Sequence, residues 1–503
     1  NDGDLDVIVA NGGDAGPQLN RIYINQGGVQ RGTIGTFSDE TAARFANVTV
    51  DASRDIKFVD FDADGDLDIL SVNSGWTVGE PSRFYTNLGG TQRGTTGFFQ
   101  ETTNTQWGTL VSVPLVDQLL GGNAGPFRDF SCDCEFGDLD DDGDLDLFHG
   151  SYGPNINGTR DSRVFLNNSV GVFHELWPWA NPNADIKTHT LDVDLVDRDG
   201  DLDLDIFMSS RNSQARTYIN NLRNPVSASA FQDLTQPALI APGVTLFGSV
   251  NAGVEPHDFD GDGDLDVWLV NWQGNLERIA RNNGVADDFY SFSEMEAWIL
   301  GDPNQDENEA DVLDYDGDGD IDVFLANFVG TNRLIQGGIA QGLTEVQGLY
   351  HRTGGGSSLA AAFPETPEIN NAGISLGATV GDIDNDGDDD VLVANDGNQQ
   401  NYLNTNVLGV PDVHAPTFYR LTEQADKANG SSTVIHAQIR DNTSYYVMQF
   451  YDAQLLYSVD GGTPISVAMF AQGSMQYRGV IPAQTDALIE YHVEVTDRAG
   501  NTG

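Results

Sequence analysis

Short apolar runs recur between residues 1 and 410, and each one follows a polar stretch rich in aspartate. Examples are VWLV at 267–270, VFLA at 323–326 and VLVA at 391–394. Runs of this length that are separated by Gly, Asn and Asp are typical of β-strands and turns, and no long segment has helical periodicity. Because the runs are apolar at nearly every position, they predict inner strands that are buried on both faces.

The aspartate-rich element occurs seven times, at an average spacing of 64 residues. Other phrases repeat in phase with it, such as NRIYINQG at 20–27 and GTFSDET at 35–41. A period of this length predicts a unit of about four strands. Seven such units predict a β-propeller over residues 1–410, in which radial repetition leaves only short, protected strand edges. We number the loops 1 to 7 as residues 1–6, 60–68, 138–146, 197–205, 258–266, 314–322 and 382–390.

The pattern changes after residue 410. Pro411 and Pro416 indicate a linker, and the aspartate-rich loops cease. Alternation of apolar and polar residues appears at 433–441, 465–470 and 488–497. Residues 411–503 therefore predict a small β-sandwich of immunoglobulin-like or fibronectin-III-like type. The predicted fold class is all-β.

The loops carry a pattern of metal ligands. In DFDGDGDLD, residues 258–266, aspartates occupy loop positions 1, 3, 5 and 9 and glycine occupies position 6. Alternate carboxylates on a tight turn converge on one point, and hard oxygen ligands in this number favour Ca²⁺. We expect position 7 to offer its backbone carbonyl while its side chain, Asp264 here, points to solvent. An EF-hand is excluded, because position 12 is a strand residue such as Ser71 or Leu269 and not glutamate.

The charge of the chain is concentrated in these loops. The formal net charge is −53, and the seven loops hold 35 of the 77 acidic residues. A salt-adapted or simply soluble acidic surface is the alternative explanation, but concentrated charge favours a bound counter-ion. The charge disfavours binding to nucleic acid or to anionic membranes, and no apolar stretch approaches the roughly 18 residues of a membrane span. The chain begins inside loop 1 and ends at DRAGNTG, so we expect further domains of the same chain beyond both ends.

The motif D-x-D-x-D-G-x-x-D at the head of β-rich repeats of this length resembles the FG-GAP/VCBS repeat family, which includes the propellers of integrin α-subunits. The NRIYIN and GTFSDE phrases are most similar to its bacterial and cartilage-acidic-protein-like branch. The resemblance implies a seven-bladed propeller with about one Ca²⁺ per blade, held in the hairpin loop between the first two strands.

The resemblance also implies which residues bind the metal, namely the aspartates at positions 1, 3, 5 and 9. Loop 1 is truncated and retains Asp2 and Asp6, and in loop 4 Leu202 replaces the glycine, which puts the fourth site in question. The ligands implied in the other positions are Asp60, Asp62, Asp64 and Asp68; Asp138, Asp140, Asp142 and Asp146; Asp197, Asp199, Asp201 and Asp205; Asp258, Asp260, Asp262 and Asp266; Asp314, Asp316, Asp318 and Asp322; and Asp382, Asp384, Asp386 and Asp390.

Two classes of function fit these features. The sequence contains no H-E-x-x-H, no G-x-S-x-G and no phosphate-binding glycine loop, so we expect no catalytic residues and a structural role for calcium. The favoured function is an extracellular, calcium-stabilised adhesion or binding module, secreted or at the cell surface, for a protein or glycan ligand. The alternative is the non-catalytic propeller portion of a secreted enzyme that degrades polysaccharides or lipids.

The sequence also suggests where a ligand binds. Loops on the face opposite the calcium loops are long and variable, and such loops commonly carry recognition. The aromatic residues in or beside them are expected either to contact the ligand or to pack between blades: Trp76, Trp107, Tyr152, Trp177, Trp179 and Trp272. The only two cysteines, Cys132 and Cys134, favour a local structural role over a metal or redox site.

Overall fold

The structure is a computed structural model that describes most of the chain. The described residues are 3–12, 16–47, 49–75, 79–111, 128–153, 161–180, 189–211, 215–223, 229–233, 251–259, 263, 265–271, 278–282, 292–294, 299–300, 306–328, 332–337, 350–352, 374–397, 399–427 and 430–503. Within these ranges the fold is all-β, as the sequence predicts. The helical segments in them are single turns: α1 (Thr41–Arg44), α2 (Thr103–Gln106), α3 (Tyr445–Met448) and the 3-10 turns Gly28–Gln30 and Gly90–Gln92. No helix in this described part of the chain is both long and apolar enough to cross a membrane.

The strands before residue 410 form seven sheets that follow one another along the chain. Sheet 1 contains β1 (Val7–Val9), β3 (Arg21–Asn25) and β4 (Phe37–Asp39). Sheet 2 contains β6 (Ser53–Val59), β7 (Asp68–Asn73), β9 (Arg83–Asn87) and β10 (Phe99–Glu101). Sheet 3 contains β11 (Arg128–Gly137), β12 (Asp146–Gly153), β13 (Arg163–Leu166) and β14 (His174–Leu176), with β8 (Glu80–Pro81) at its inner edge. Strands β2 (Gln18–Leu19) and β5 (Val50–Asp51) form a separate pair.

The remaining four sheets have the same order of strands. Sheet 4 contains β15 (Val193–Val196), β16 (Asp205–Met208), β17 (Arg216–Asn220) and β18 (Phe231–Asp233). Sheet 5 contains β19 (Asn251–His257), β20 (Asp266–Asn271), β21 (Arg278–Asn282) and β22 (Phe292–Glu294). Sheet 6 contains β24 (Glu307–Leu313), β25 (Asp322–Asn327), β26 (Arg333–Gln336) and β27 (Tyr350–Arg352), with β23 (Ile299–Leu300) parallel to β27. Sheet 7 contains β28 (Ser375–Gly381), β29 (Asp390–Asn395) and β30 (Tyr402–Asn404).

The aspartate-rich loop joins the first strand of each sheet to the second in sheets 2 to 7. The apolar run after the loop forms the second strand, which is buried at every position in β7, β20 and β25. The sequence predicts these runs as inner strands buried on both faces, and the structure confirms this, because each lies between the first and third strands of its sheet. The strand before the loop lies innermost, because residues of β6, β11, β24 and β28 line a common central cavity.

Successive sheets pack face to face. The first strands of sheets 2 to 7 contact one another in order. Aromatic side chains fill the space between neighbouring sheets: the rings of Phe84 and Phe173 stack at 5.1 Å between sheets 2 and 3, and Trp179 packs edge-on against Phe148 and Tyr218 between sheets 3 and 4. This series of curled antiparallel sheets is consistent with a propeller.

The last six strands form an antiparallel sheet with the order β31-β32-β35-β34-β33-β36. Strand β34 pairs with β33 through its first five residues and with β35 through its last two, so that it links two halves of the sheet. Buried residues of both halves, including Ile435 and Leu455, belong to one apolar cluster. The strands are β31 (Thr417–Leu421), β32 (Thr433–Arg440), β33 (Asp452–Val459), β34 (Ile465–Ala471), β35 (Gln476–Ile481) and β36 (Ile489–Thr496).

Candidate metal centres

Loops 2, 3, 4, 6 and 7, which the structure describes in full, make the same turn. Where position 6 is glycine its φ is positive, from 88° at Gly319 to 102° at Gly263, and such values strongly favour glycine. Position 4 has a positive φ as well, for example 57° at Ala63 and 63° at Asp141. Loop 4 makes this turn with Leu202 at position 6, where φ is 67°. A leucine in this region costs roughly 1–2 kcal/mol, so loop 4 keeps the shape of the other loops at some expense in stability.

The aspartate at position 1 stabilises this turn through its side chain. In loop 2, the two carboxylate oxygens of Asp60 accept hydrogen bonds from the backbone N–H of Asp64 at 3.0 Å and of Gly65 at 2.9 Å. Asp138, Asp314 and Asp382 make the corresponding two bonds in loops 3, 6 and 7. Because these bonds are local, nine residues of sequence are enough to specify the loop.

The aspartate at position 9 connects the loop to its sheet. In loop 3, Asp146 accepts a hydrogen bond from the backbone N–H of Leu139 at 2.9 Å and another from Asn167 at 2.8 Å. Asn167 directly follows the third strand, and its side-chain amide donates to the backbone oxygens of Leu145 in the same loop and Phe61 in the preceding loop. Loop 3 is therefore anchored to its own sheet and also linked to the preceding loop.

Positions 1, 3 and 9 converge in five loops. One carboxylate oxygen from each of the three positions lies within 4.8 Å of the others, a spacing that fits a single cation. The structure forms this group in loop 4 too, where the sequence puts the site in question. The groups are Asp60, Asp62 and Asp68; Asp138, Asp140 and Asp146; Asp197, Asp199 and Asp205; Asp314, Asp316 and Asp322; and Asp382, Asp384 and Asp390.

The other implied ligands fall into two sets. Position 5 is held by the loop itself, because its carboxylate accepts the backbone N–H of position 7, at 3.2 Å for Asp64 and 3.0 Å for Asp318. Asp142, Asp201 and Asp386 do the same. In loop 5, Asp258 and Asp266 are described and start and end the loop. Asp2, Asp260, Asp262 and Asp264 lie outside the described residues, whereas Asp6 accepts the backbone N–H of Asn25 at 2.8 Å.

The loops contain buried oxygens that lack a hydrogen-bond partner, and these test whether a metal fits. Oδ1 of the position-3 aspartate is such an atom in Asp62, Asp140, Asp199 and Asp384. A buried carboxylate oxygen without a partner is costly unless a cation is bound to it. The donor set consists of hard oxygens, which suits Ca²⁺.

Position 7 differs from the sequence-based expectation. Its side chain is not in solvent: Asp66, Asp144, Asp203 and Asp388 are all at most 5 % exposed. Both carboxylate oxygens of Asp66 and of Asp203 are buried without a hydrogen-bond partner, as is Oδ1 of Asp388. Position 7 is therefore a further candidate ligand that sequence reasoning missed. The signal was present, since this position is aspartate in all seven loops, which a solvent-exposed side chain does not require.

The electrostatics of the loops favour a bound cation. Burial is the main cause that raises the pKa of Asp68 and of Asp146 to about 9, and neighbouring loop carboxylates raise it further. Burial and the Asp64 carboxylate raise the pKa of Asp66 to about 7. Burial and adjacent aspartates raise the pKa of Asp197 likewise to about 7. Each loop thus has more buried negative charge than it can keep ionised without a counter-ion.

Three of the six aromatic residues expected either to contact a ligand or to pack between blades are buried, which favours packing for those three. Trp179 and Tyr152 are at most 2 % exposed, and Trp107 is 9 % exposed. They pack between strands and sheets, and Trp179 Nε1 donates to the backbone oxygen of Ser162 at 2.8 Å. Trp177 is 37 % exposed, and Trp76 and Trp272 lie outside the described residues.

Both cysteines are buried in β11. Cys134 Sγ lies 3.6 Å from a carboxylate oxygen of Asp55, and burial raises the pKa of its thiol. A buried protonated thiol is unreactive, which agrees with a local structural role.

The part of the chain that carries β31 to β36, called the C-terminal domain here, contacts the aspartate-rich loops directly. Arg420 Nη1 donates to the backbone oxygen of Gly200 in loop 4 at 2.6 Å, and Arg440 forms an ion pair with Asp258 in loop 5. Further contacts are Arg478 Nε with Asp141 at 3.3 Å in loop 3, Asn442 Nδ2 with Asp314 at 2.8 Å in loop 6, and Thr443 Oγ1 with Asp389 at 2.8 Å in loop 7. The face that carries the loops is therefore covered at loops 3 to 7.

Two segments of the chain match a known family model. Residues 1–71 and 314–393 match the FG-GAP-like repeat. The first segment includes loops 1 and 2, and the second includes loops 6 and 7. No curated protein matches the chain.

Several solved structures match the chain at low similarity. An Agrocybe aegerita lectin that recognises non-reducing terminal N-acetylglucosamine is 17% identical over 69% of this chain and 76% of its own, with a TM-score of 0.37. An exo-β-1,3-galactanase from Phanerochaete chrysosporium is 8% identical over 74% of this chain and 97% of its own, with a TM-score of 0.30. The V. cholerae biofilm matrix protein Bap1 is 12% identical over 90% of this chain and 72% of its own, with a TM-score of 0.29.

Proposed function

We propose that this chain is an extracellular, calcium-stabilised binding module without catalytic activity. In this proposal residues 1–410 form a seven-bladed propeller with about one Ca²⁺ per loop, and residues 411–503 form a β-sandwich that docks on the loop face. The observation that carries the proposal is the set of buried, unpartnered carboxylate oxygens at loop positions 3 and 7, which recurs from loop to loop. One such cluster is a local accident, but a repeated one indicates a repeated ligand.

Calcium has a structural role in this proposal. When bound, it neutralises the carboxylates of each loop and so permits the tight turn between the first two strands. The aspartates at positions 1, 3 and 9 hold it, and those at positions 5 and 7 are the further candidates. The loop backbone and the asparagine at the end of the third strand keep these side chains in place before the metal binds.

The ligand of the module binds on the face opposite the loops. Contacts between the C-terminal domain and loops 3 to 7 occupy the loop face, which supports the opposite face as the binding surface. The expected ligand is a glycan or a protein outside the cell, and the protein is secreted or attached to the cell surface. The concentration of Ca²⁺ outside cells, about 1 mM, suits extracellular calcium modules, which bind in the range of about 0.1–1 mM.

Thermal denaturation of the full chain tests the calcium assignment. Chelation is expected to lower the melting temperature strongly, and added Ca²⁺ is expected to restore it. Asp140→Asn removes a position-3 ligand and should reduce this response. Asp426→Asn, at an exposed position of the C-terminal domain, is the matched control and should leave it unchanged. A melting curve that is the same with and without chelator would exclude structural calcium.

A glycan array probed with the full chain tests the binding function. Binding that requires Ca²⁺ and leaves the glycan intact supports a binding module. Cleavage of a bound polysaccharide by this chain would contradict the absence of catalysis. The alternative function, a propeller attached to a secreted hydrolase or lyase, requires the catalytic domain to lie elsewhere in the same protein.

A further inference from the structure

The innermost strands carry a second repeated set of acidic residues, distinct from the loops. In sheets 2, 3, 4 and 6, an acidic residue lies five positions before loop position 1. In sheets 3, 4, 5 and 6, an acidic residue lies three positions before it. Residues two apart on a strand point to the same side, so the two sets form adjacent tiers. The first tier is Asp55, Asp133, Asp192 and Glu309, and the second tier is Glu135, Asp194, Glu255 and Asp311.

These tiers surround the central cavity. Its volume is about 1410 Å³, and its lining includes all four residues of the first tier together with Glu135 and Asp311. Helix α3 of the C-terminal domain closes one side of it. There the hydroxyl of Tyr446 donates to Glu135 at 3.2 Å, and the hydroxyl of Tyr445 donates to Asp194.

Part of this negative charge has an evident structural use. Asp133 accepts the backbone N–H of Val193 at 2.7 Å, and Asp192 accepts that of Val254 at 2.6 Å. Each of these two carboxylates thus satisfies a backbone N–H of the first strand of the next sheet. Lys57 takes the second-tier position in sheet 2 and lies 3.0 Å from Glu135 and 3.8 Å from Asp133. One lysine cannot neutralise eight carboxylates.

Glu255 and Asp194 each keep one buried carboxylate oxygen that these contacts do not satisfy. Glu255 is 3 % exposed and Asp194 is 2 % exposed. Glu255 Oε1 and Asp194 Oδ2 have no hydrogen-bond partner. Strand β19, which carries Glu255, packs between β15 with Asp194 and β24 with Asp311, and the three acids hold the same position on their strands. In agreement with this placement, burial and then the Asp311 and Asp194 carboxylates raise the pKa of Glu255.

Buried carboxylates that face one another are unstable as anions without a cation among them. We propose that Glu255, Asp194 and Asp311 form a divalent cation site beside the central cavity, called the channel site, at the end where Tyr445 lies, and that Ca²⁺ occupies it. Carboxylates and a tyrosine hydroxyl are hard oxygen donors, which suit Ca²⁺ rather than a softer metal. The site is separate from the loops, because its ligands lie on β15, β19 and β24, three residues before each loop begins.

Anomalous diffraction from crystals of the full chain grown with Tb³⁺ in place of Ca²⁺ tests the proposal. We expect a peak between Glu255, Asp194 and Asp311 in addition to the peaks in the loops. Occupied loops together with an empty channel site would overturn the proposal. This readout uses the unmodified chain, so it does not depend on whether a variant folds.

The number of bound metal ions gives a second test. Glu255→Gln should lower the Ca²⁺ content of the folded chain by one ion, and the channel peak should disappear while the loop peaks remain. Asp199→Asn should also lower the content, but it should leave the channel peak in place. Glu490→Gln, an exposed position on β36, is the matched control for the change of charge. An unchanged metal content in Glu255→Gln would contradict the proposed site.

Discussion

The side-chain amide of Asn25 donates a hydrogen bond of 2.9 Å to the backbone oxygen of Ile383, although 358 positions separate the two residues. Asn167 makes the same contact with Phe61 at 2.7 Å, and Asn220 makes it with Leu139 at 2.8 Å. In those two cases the contact joins neighbouring sheets. Sheet 1 is therefore held by loop 7 in the way that sheets 3 and 4 are held by loops 2 and 3.

Asn25→Ala should destabilise the protein by roughly 1–3 kcal/mol, because it leaves the carbonyls of Leu5 and Ile383 unsatisfied. Urea denaturation measures this change in the free energy of unfolding. Asn167→Ala is the matched variant and should cost a similar amount. A negligible effect of Asn25→Ala beside a large effect of Asn167→Ala would mean that sheets 1 and 7 do not stabilise each other.

The stability of the metal-free protein should fall as the pH rises from about 5 to 9. The folded-state pKa is about 9 for Asp68 and Asp146 and about 8 for Asp390, against about 3.9 in an unfolded chain. A carboxyl group with a raised folded-state pKa binds its proton more tightly in the folded protein than in the unfolded chain. Its contribution to stability is therefore present at low pH and is lost as the pH rises through the folded-state pKa.

Ca²⁺ is expected to reverse this trend, because a cation binds ionised carboxylates in competition with protons. The gain in melting temperature on adding Ca²⁺ should therefore be larger at a pH of about 8 than at about 5. Differential scanning fluorimetry with chelator or Ca²⁺ at both pH values measures it. An equal gain at both values would show that these carboxylates are not the ligands.

Asp66→Asn should have opposite effects with and without calcium. In the presence of chelator, the substitution removes a buried carboxylate that the other loop carboxylates repel, so the melting temperature should rise. In Ca²⁺ it removes a candidate ligand, so the melting temperature should fall, by about 2–4 °C for each kcal/mol lost in a domain of 150–250 residues. Asp426→Asn is the exposed control. A change of the same sign in both conditions would assign Asp66 a purely structural role.

Arg478→Ala should loosen the C-terminal domain from loop 3. The guanidinium lies 3.3 Å from Asp141 and 3.8 Å from Asp138, and hydrogen bonds to charged groups are worth roughly 1.5–3 kcal/mol. Limited proteolysis of the linker around residues 411–416 measures the loosening as faster cleavage. Arg498→Ala, at a residue with a single 3.4 Å bond to Asn385, is the milder comparison. Equal cleavage rates in all three proteins would mean that Arg478 does not hold the domains together.

The loops were predictable from the sequence because their interactions are local. The position-1 carboxylate, the two residues with positive φ and the apolar run that follows all lie within about a dozen residues, so spacing alone indicated the turn. Leu202 shows the limit of that reasoning. A leucine at position 6 counts against the fourth site in the sequence. The backbone N–H groups of Gly200 and Asp201 nevertheless donate hydrogen bonds to the Asp197 carboxylate and impose the same turn.

The sequence by itself determined the all-β class, the seven loops and the aspartates at positions 1, 3 and 9 that converge in five of them. Only the tertiary structure decided that Trp107 and Trp179 are packing residues and that the position-7 aspartates are buried. It also decided that the C-terminal domain covers the loops. The physical reason is that burial and contact depend on which sheet lies beside which, and the residues involved, such as Tyr445 and Asp194, are up to hundreds of positions apart in the chain.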